Sequence, residues 1–215
     1  MSKKPTEGPT LAEIMADFEE QFPSIAALPD DHPAYALIGR VAAAWANLEH
    51  KLDRIIWLLA GGSDQTIACI TGQLMGAQPR VSAIVSLLKL RIKDRKKAPL
   101  ANELVDQFVN LKNRLYESND RRNRLVHDAW YIKLKSQTTA QFRSMPFKDP
   151  HFGVQDVSED YIKDTLAKIA RRTKTVDDLS DSVESALESW HEKLPKPRPA
   201  WTGRTGPLSE SYKDK

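Results

Sequence analysis

The chain has 215 residues, which suffices for one domain with extensions, and its 40% hydrophobic and 28% charged content with few glycines is typical of a soluble helical protein. The formal net charge is only +3, so a preference for nucleic acid has to come from local clusters of basic residues. The single cysteine excludes an intramolecular disulfide, and no apolar run reaches the roughly 20 residues of a membrane span or resembles a signal peptide. We therefore expect a cytoplasmic protein with no membrane partner.

The N-terminal segment combines a polar arm with a first short helix. Residues 1–9 have no apolar periodicity and are predicted to form a flexible arm. Thr10 and Glu13 match a capping box, so the folded domain is predicted over 10–194, and its first helix ends at Pro23.

The strongest helical periodicity covers residues 34–60 and ends at Gly61. Its apolar stripe consists of Tyr35, Ile38, Val41, Trp45, Leu48, Leu52, Ile55, Ile56 and Leu59. Glu49 lies at the edge of this stripe, where a carboxylate needs a partner. It is either an ordinary boundary residue or a supporting residue that orients Arg122 or Arg124.

Two further helical patterns occupy residues 64–75 and 78–92. Cys69 lies among apolar residues and is predicted to be a buried thiol. A basic run that contains Lys93 and Arg95 comes next. It is either a solvated helix end with a loop or a rim that binds substrate phosphates.

The next apolar stripe, from Leu100 to Leu115, leads directly to the most informative residues of the chain. If the helix is continuous, Arg122 and Val126 extend the stripe. If residues 118–120 break it, a short separate helix carries residues 121–127.

Arg122, Asn123 and His127 combine a permanent planar cation, an amide and the side chain that titrates nearest neutral pH, a combination that suits phosphodiester chemistry. On one straight helix Arg122 and His127 point about 140° apart, whereas Asn123 and His127 point only about 40° apart. Either the helix bends or frays here, or Arg122 and His127 meet at a seam between two copies of the chain.

These residues, with apolar Leu125 and Val126 between them, resemble the R-N-x-x-x-H signature of the HEPN superfamily. The resemblance covers roughly residues 34–127 and implies a helical bundle that acts as a metal-independent RNA endonuclease and homodimerises through the face with the motif. It implies Arg122, His127 and Asn123 as catalytic residues, with no cofactor or metal. The toxin–antitoxin branch commonly has a tyrosine two residues after the histidine, where this chain has Ala129.

The segment after the motif has β character. Residues 129–145 contain two short β-type runs and are predicted to form a hairpin, which serves as a flap, a substrate wall, a dimer arm or a structural embellishment. Residues 146–157 are predicted to be irregular. A long last helix is predicted from Ser158 to Leu194, and the tail 195–215 is predicted to be disordered.

The predicted fold is thus all-α, an up-and-down HEPN-like bundle with a small β-hairpin before a long last helix. We expect an endoribonuclease whose substrate-binding residues include Arg121, Arg124, Lys93 and Arg95, in a defence, toxin–antitoxin or mobile-element context. An antitoxin or regulatory protein is a possible partner. The alternatives are a noncatalytic module that binds RNA or docks a protein, in which Arg122 forms an ion pair and His127 caps helix carbonyls, and an accessory protein that senses nucleic acid.

Overall fold

The computed structural model describes residues 24–61, 64–93, 99–145 and 151–189. The predictions for the arm 1–9, the first helix, Arg95 and the tail 195–215 lie outside these residues, and so does the prediction for the Lys93 side chain.

The described chain is mostly helical and contains one small antiparallel sheet. The helices are α1 (Pro33–Ala60), α2 (Asp64–Thr71), α3 (Ala77–Lys93), α4 (Pro99–His127) and α5 (Glu159–Ser189). The strands are β1 (Ile25–Ala27), β2 (Trp130–Lys133), β3 (Thr139–Met145) and β4 (His151–Asp156), and they lie in the order β1-β2-β3-β4. None of the described helices is both long and apolar enough to cross a membrane.

The predicted hairpin is present as β2 and β3, in which Trp130 is in register with Gln141. The prediction of an all-α fold with only a hairpin is incomplete, because β1 pairs with β2 and β4 pairs with β3. The interpretation of residues 146–157 as irregular is wrong for His151–Asp156, which forms β4. β1 has only three residues, and β4 contains Gly153 and Asp156, two residue types that are depleted in strands, so hydrogen bonds to the hairpin define both strands.

The chain divides into two compact units, and α1, α4 and α5 each contribute to both. The first unit comprises the described parts of Met1–Glu49 and Asn113–Thr175 and therefore contains the sheet and the motif. Its buried apolar residues include Val41, Trp45, Leu48, Leu115, Leu125, Trp130, Ala140, Ile162 and Ile169.

Ion pairs connect α4 to α5 within the first unit. Arg121 Nη1 lies 2.8 Å from Asp164 Oδ2, and Lys168 Nζ lies 3.2 Å from Glu117 Oε1. The first ion pair thus lies four residues later on α4 than the second, at Arg121 rather than Glu117. On α5 it lies four residues earlier, at Asp164 rather than Lys168. The two helices are therefore antiparallel in this unit.

The second unit comprises the described parts of His50–Lys112 and Val176–Lys215. Arg80 organises the start of α3: Nε donates to Asp53 Oδ1 at 2.8 Å, and Nη1 donates to the carbonyls of Leu74 and Gly76 at 2.7 and 2.9 Å. At the other end of α3, Arg91 donates to the carbonyl oxygen of Leu59 in the last turn of α1.

The prediction of a buried Cys69 is wrong, because this residue is exposed. Among the residues of α2 with described side chains, Ile67 and Thr71 are the buried ones. Cys69 follows Ile67 by two positions, which is about 200° on a helix, so it faces away from the buried side.

Candidate functional site

The helix that carries the motif, α4, runs without interruption from Pro99 to His127. Ser118 is 2% exposed and Leu125 is 0% exposed, so the inward-facing stripe continues through residues 118–120. Arg122 is half-buried on the same stripe. Residues 118–120 therefore do not cap a separate helix, and the motif occupies the last two turns of α4.

Two side chains of the sheet bond the C-terminal carbonyls of α4. Trp130 Nε1 on β2 donates to the carbonyl oxygen of Leu125 at 3.0 Å, and Gln141 Nε2 on β3 donates to that of Arg124 at 2.9 Å. Carbonyls in the last turn of a helix have no partner within the helix, so these bonds act as a C-terminal cap. The hairpin thus fixes the end of the helix that carries the candidate histidine.

His127 is the last residue of α4 and is exposed. Among the described residues, none forms a hydrogen bond or an ion pair with its imidazole. The carbonyls of Arg124 and Leu125 are capped by Gln141 and Trp130. The contacts of the described residues therefore do not include the capping of helix carbonyls that the sequence left open for His127.

Arg122 is tied to the residue beside it. Its Nη1 donates to Asn123 Oδ1 at 2.8 Å, while its Nε is buried and has no hydrogen-bond partner among the described residues. A buried donor without a partner carries a desolvation cost. The guanidinium thus retains donor capacity that the described contacts do not use.

Glu49 lies in the same unit but bonds elsewhere. Its Oε1 accepts a hydrogen bond from Trp45 Nε1 at 2.7 Å, one turn earlier on α1. In the described part of the chain, Glu49 is not within ion-pair distance of Arg122 or Arg124. The contact that the sequence suggested for Glu49 as a supporting residue is thus not formed here.

Arg121 and Arg124, predicted to bind substrate, both engage acidic side chains of the chain itself. Arg121 bonds Asp164, lies 3.5 Å from Glu117, and has its guanidinium carbon 4.9 Å from the centre of the Tyr161 ring. Arg124 Nε lies 3.0 Å from Asp120 Oδ2. These carboxylates offset the charge of both arginines and compete with a phosphate for their donors.

The basic residues of this cluster change the pKa of Asp164. Desolvation acts to raise it, but the hydrogen bond from Arg121 and the charges of Lys168 and Arg121 outweigh desolvation, so the pKa lies below the usual aspartate range. This shift in the pKa of Asp164 reflects the α4–α5 ion pairs with Arg121 and Lys168.

The continuity of α4 constrains how the motif can act. Because the helix does not break, Arg122 and His127 point about 140° apart and are separated by about 7.5 Å along the axis. Asn123 and His127 share one face. A single chain therefore presents Asn123 and His127 together, with Arg122 to one side.

Sequence reasoning missed Gln141 and Trp130 as residues of this region. The β-type pattern places Trp130 in a strand without indicating a partner for its indole, and Gln141 is 0% exposed although glutamine is usually a surface residue. Nothing in the sequence indicates that a strand glutamine bonds a helix carbonyl, because that contact depends on the packing of β3 against α4.

The first unit also contains an open cavity of about 420 Å³ beside the starts of α1 and α5. Its lining includes His32, Thr138, Asp156, Ser158 and Glu159. No predicted site residue lines it. Among the described residues, no group of three or more His, Cys, Asp or Glu side chains is placed to hold a metal ion.

Comparison with protein-family models, with curated proteins and with solved structures finds no significant match for this chain.

Proposed function

We propose that this chain is a metal-independent endoribonuclease of the HEPN type, with a HEPN-like helical bundle as its fold. The observation that carries the proposal is the exposed His127 at the capped end of an unbroken helix, on the same face as Asn123 and adjacent to the partly unpaired guanidinium of Arg122.

The reaction suits these groups because RNA contains its own nucleophile. The ribose 2′-hydroxyl attacks the adjacent phosphorus and loses its proton, the bond to the 5′-oxygen breaks, and the leaving oxygen gains a proton. His127 accepts the first proton or supplies the second, while Arg122 stabilises the charge that develops on the phosphoryl oxygens. Asn123 orients the phosphate or the imidazole. The products are a 2′,3′-cyclic phosphate and a 5′-hydroxyl.

The active form is a homodimer in which two copies of the motif face each other. The divergence of Arg122 and His127 along α4 supports this arrangement, since a second copy brings an arginine to the histidine face of the first. Tyr116 gives further support: it is 72% exposed, and it lies seven residues before Asn123, within about 20° of the same helix face. Exposed aromatic residues are enriched at protein interfaces.

The test is cleavage of a labelled structured RNA, such as tRNA, by the purified chain in excess EDTA. Wild-type protein should cut it and leave 2′,3′-cyclic phosphate ends, and His127→Ala should lower the rate by about 10²–10⁴-fold, the usual contribution of proton transfer. His50→Ala is the matched control, because His50 is also exposed on a helix but belongs to the second unit. It should cut at the wild-type rate.

The contrary outcomes are distinct. If the wild type binds RNA without cutting it, the chain is a noncatalytic RNA-binding module. If His127→Ala and His50→Ala cut equally well, the catalytic assignment of His127 is wrong.

A further inference from the structure

The contact between α4 and α5 is a ladder of charged residues that repeats with helical spacing. Its first step is Arg121 with Asp164, at 2.8 Å, and its second is Glu117 with Lys168, at 3.2 Å. Each of these steps pairs opposite charges across the two helices.

At the next pair of positions, both residues are positively charged. Arg114 lies seven residues before Arg121, and Arg171 lies seven residues after Asp164. Seven residues return a side chain to within about 20° of the same direction, some 10.5 Å along the axis. Because the helices are antiparallel, moving seven residues back on α4 and moving seven residues forward on α5 lead to the same end of the helix pair. The same register therefore places position 114 of α4 opposite position 171 of α5, as it places Arg121 opposite Asp164.

Neither arginine is paired with a carboxylate of the described residues. Both are exposed, and no acidic side chain in the described part of the chain lies within ion-pair distance of either. The positions three and four residues from Arg171 are Ala167, Lys168, Lys174 and Thr175. Glu117 follows Arg114 by three residues, but it is already engaged by Arg121 and Lys168.

Two facing guanidinium groups repel each other, and an anion between them removes the repulsion. Guanidinium donors match phosphate oxygens in planar, bidentate geometry, which favours a phosphate group over a monovalent ion. Lys168, one turn before Arg171, is already paired with Glu117 and Asp164, so the proposed site depends on the two arginines.

We propose that Arg114 and Arg171 bind one phosphate group, and that an RNA backbone carries it. Phosphate binding stands on the geometry alone, whereas RNA as the carrier rests on the proposed function. On α4, Arg114 points about 140° away from His127. The site is therefore a separate anchor on the substrate and does not take part in the reaction.

The first experiment uses inorganic phosphate as the probe and the full chain as the protein. Thermal unfolding is measured in sodium phosphate and in sodium chloride of equal ionic strength. Phosphate should raise the Tm of the wild type above its value in chloride. Arg171→Asp should abolish that difference and raise the Tm in chloride, because the new carboxylate pairs with Arg114 as Asp164 pairs with Arg121.

Arg40→Asp is the matched control, since Arg40 is exposed on α1 in the same unit and the change in net charge is identical. It should leave the phosphate response intact. If the wild type shows no phosphate-specific rise, or if Arg40→Asp removes the rise as fully as Arg171→Asp does, the proposed site is overturned.

The second experiment identifies the carrier, with labelled single-stranded RNA titrated at several salt concentrations. Arg171→Asp should weaken binding equally for unrelated sequences and reduce the slope of log K against log salt by about 0.7, the value for one lost contact to a single strand. An unchanged slope together with a lost phosphate response overturns RNA as the carrier and identifies free phosphate as the ligand.

RNA cleavage is measured separately from the phosphate response of the Tm and from the salt dependence of RNA binding. If the slope falls as expected while the wild type leaves RNA intact, the phosphate site stands and the nuclease function fails. If His127→Ala abolishes cutting while Arg171→Asp leaves both the slope and the phosphate response unchanged, the nuclease stands and this site fails.

Discussion

Gln141 on β3 donates a hydrogen bond through Nε2 to the carbonyl oxygen of Arg124 on α4, at 2.9 Å. The glutamine is completely buried, and its Oε1 has no partner among the described residues. The buried glutamine thus uses its donor, but not its acceptor, at the point where the sheet contacts the end of the motif helix.

We expect Gln141→Met to cost about 1 kcal/mol of stability, because it removes one neutral hydrogen bond while the Arg124 carbonyl still accepts from the backbone of Asp128. Gln141→Glu should cost about 3–5 kcal/mol, since an ionised carboxylate cannot donate to the carbonyl and is buried without a cation. Urea unfolding of both variants measures the difference. No loss in Gln141→Met would mean that the hydrogen bond does not stabilise the helix end, and equal losses in the two variants would mean that the carboxylate is not penalised by burial.

Replacing Tyr116 by serine should weaken self-association without unfolding the chain. Truncation of an aromatic anchor at an interface typically costs about 2 kcal/mol or more, which is roughly a 30-fold rise in the dimer dissociation constant. Sedimentation velocity over a concentration series gives that constant. Leu134→Ser is the control, because Leu134 is also exposed, at 51%, but follows the end of β2 and is not a residue of α4. A wild type that sediments as a monomer at every concentration would exclude the dimer itself.

Arg80 should be far more important for stability than Lys51, a less buried cation of the same unit. Arg80→Met leaves Asp53 without its partner and frees two carbonyls, in a site where the side chains are 11% and 13% exposed, so a loss of about 3–5 kcal/mol is expected. Lys51→Met breaks the ion pair with Asp177, where the partners are 28% and 48% exposed, and should cost no more than about 1 kcal/mol. Chemical denaturation compares the two, and a similar loss in both would contradict the structural role of Arg80.

The acid stability of the first unit should depend in part on Asp156. The hydrogen bond from Lys133, 2.8 Å away, is the main cause that holds the pKa of this carboxyl below its ordinary value. When the folded pKa is the lower one, the unfolded chain takes up the proton first as the pH falls. The stabilisation is therefore complete well above about pH 4 and is lost as the pH falls through the folded pKa.

Asp156→Asn removes this titration, so its unfolding free energy should change less between about pH 6 and about pH 3 than that of the wild type. Asp106→Asn serves as the control, since Asp106 is exposed on α4 and belongs to the second unit. It should reproduce the wild-type pH profile. If Asp156→Asn reproduces that profile as well, the ion pair with Lys133 does not contribute to acid stability.

The long helices were predictable because their information is local. Apolar side chains recur every three or four residues through α1, and a glycine with φ 67°, Gly61, follows its last turn as a C-terminal cap. The hairpin was predictable from two β-type runs with a short polar connection. The strand Ile25–Ala27 was not, because three residues carry too little pattern to distinguish a strand from a loop.

The candidate site likewise has features that the sequence predicts and features that only the packing decides. The spacing of Arg122, Asn123 and His127 is a property of the sequence, and so is the angle between them once they share a helix. Whether that helix is continuous depended on the burial of Ser118 and Leu125, which a local pattern with Ser, Asn and Asp in succession leaves open. The partner of Arg121 on α5, Asp164, likewise depended on which neighbours packing brought within reach.

The helical character of the chain, the positions of its main helices and the motif that suggests phosphodiester chemistry can all be read from the residues in order, because periodicity and residue chemistry are local properties. The packed structure was needed to show that Gln141 caps α4 and that Asp164 neutralises Arg121. Those relationships join residues distant along the chain, and they exist only because burial of the apolar stripes sets the register of one element against another.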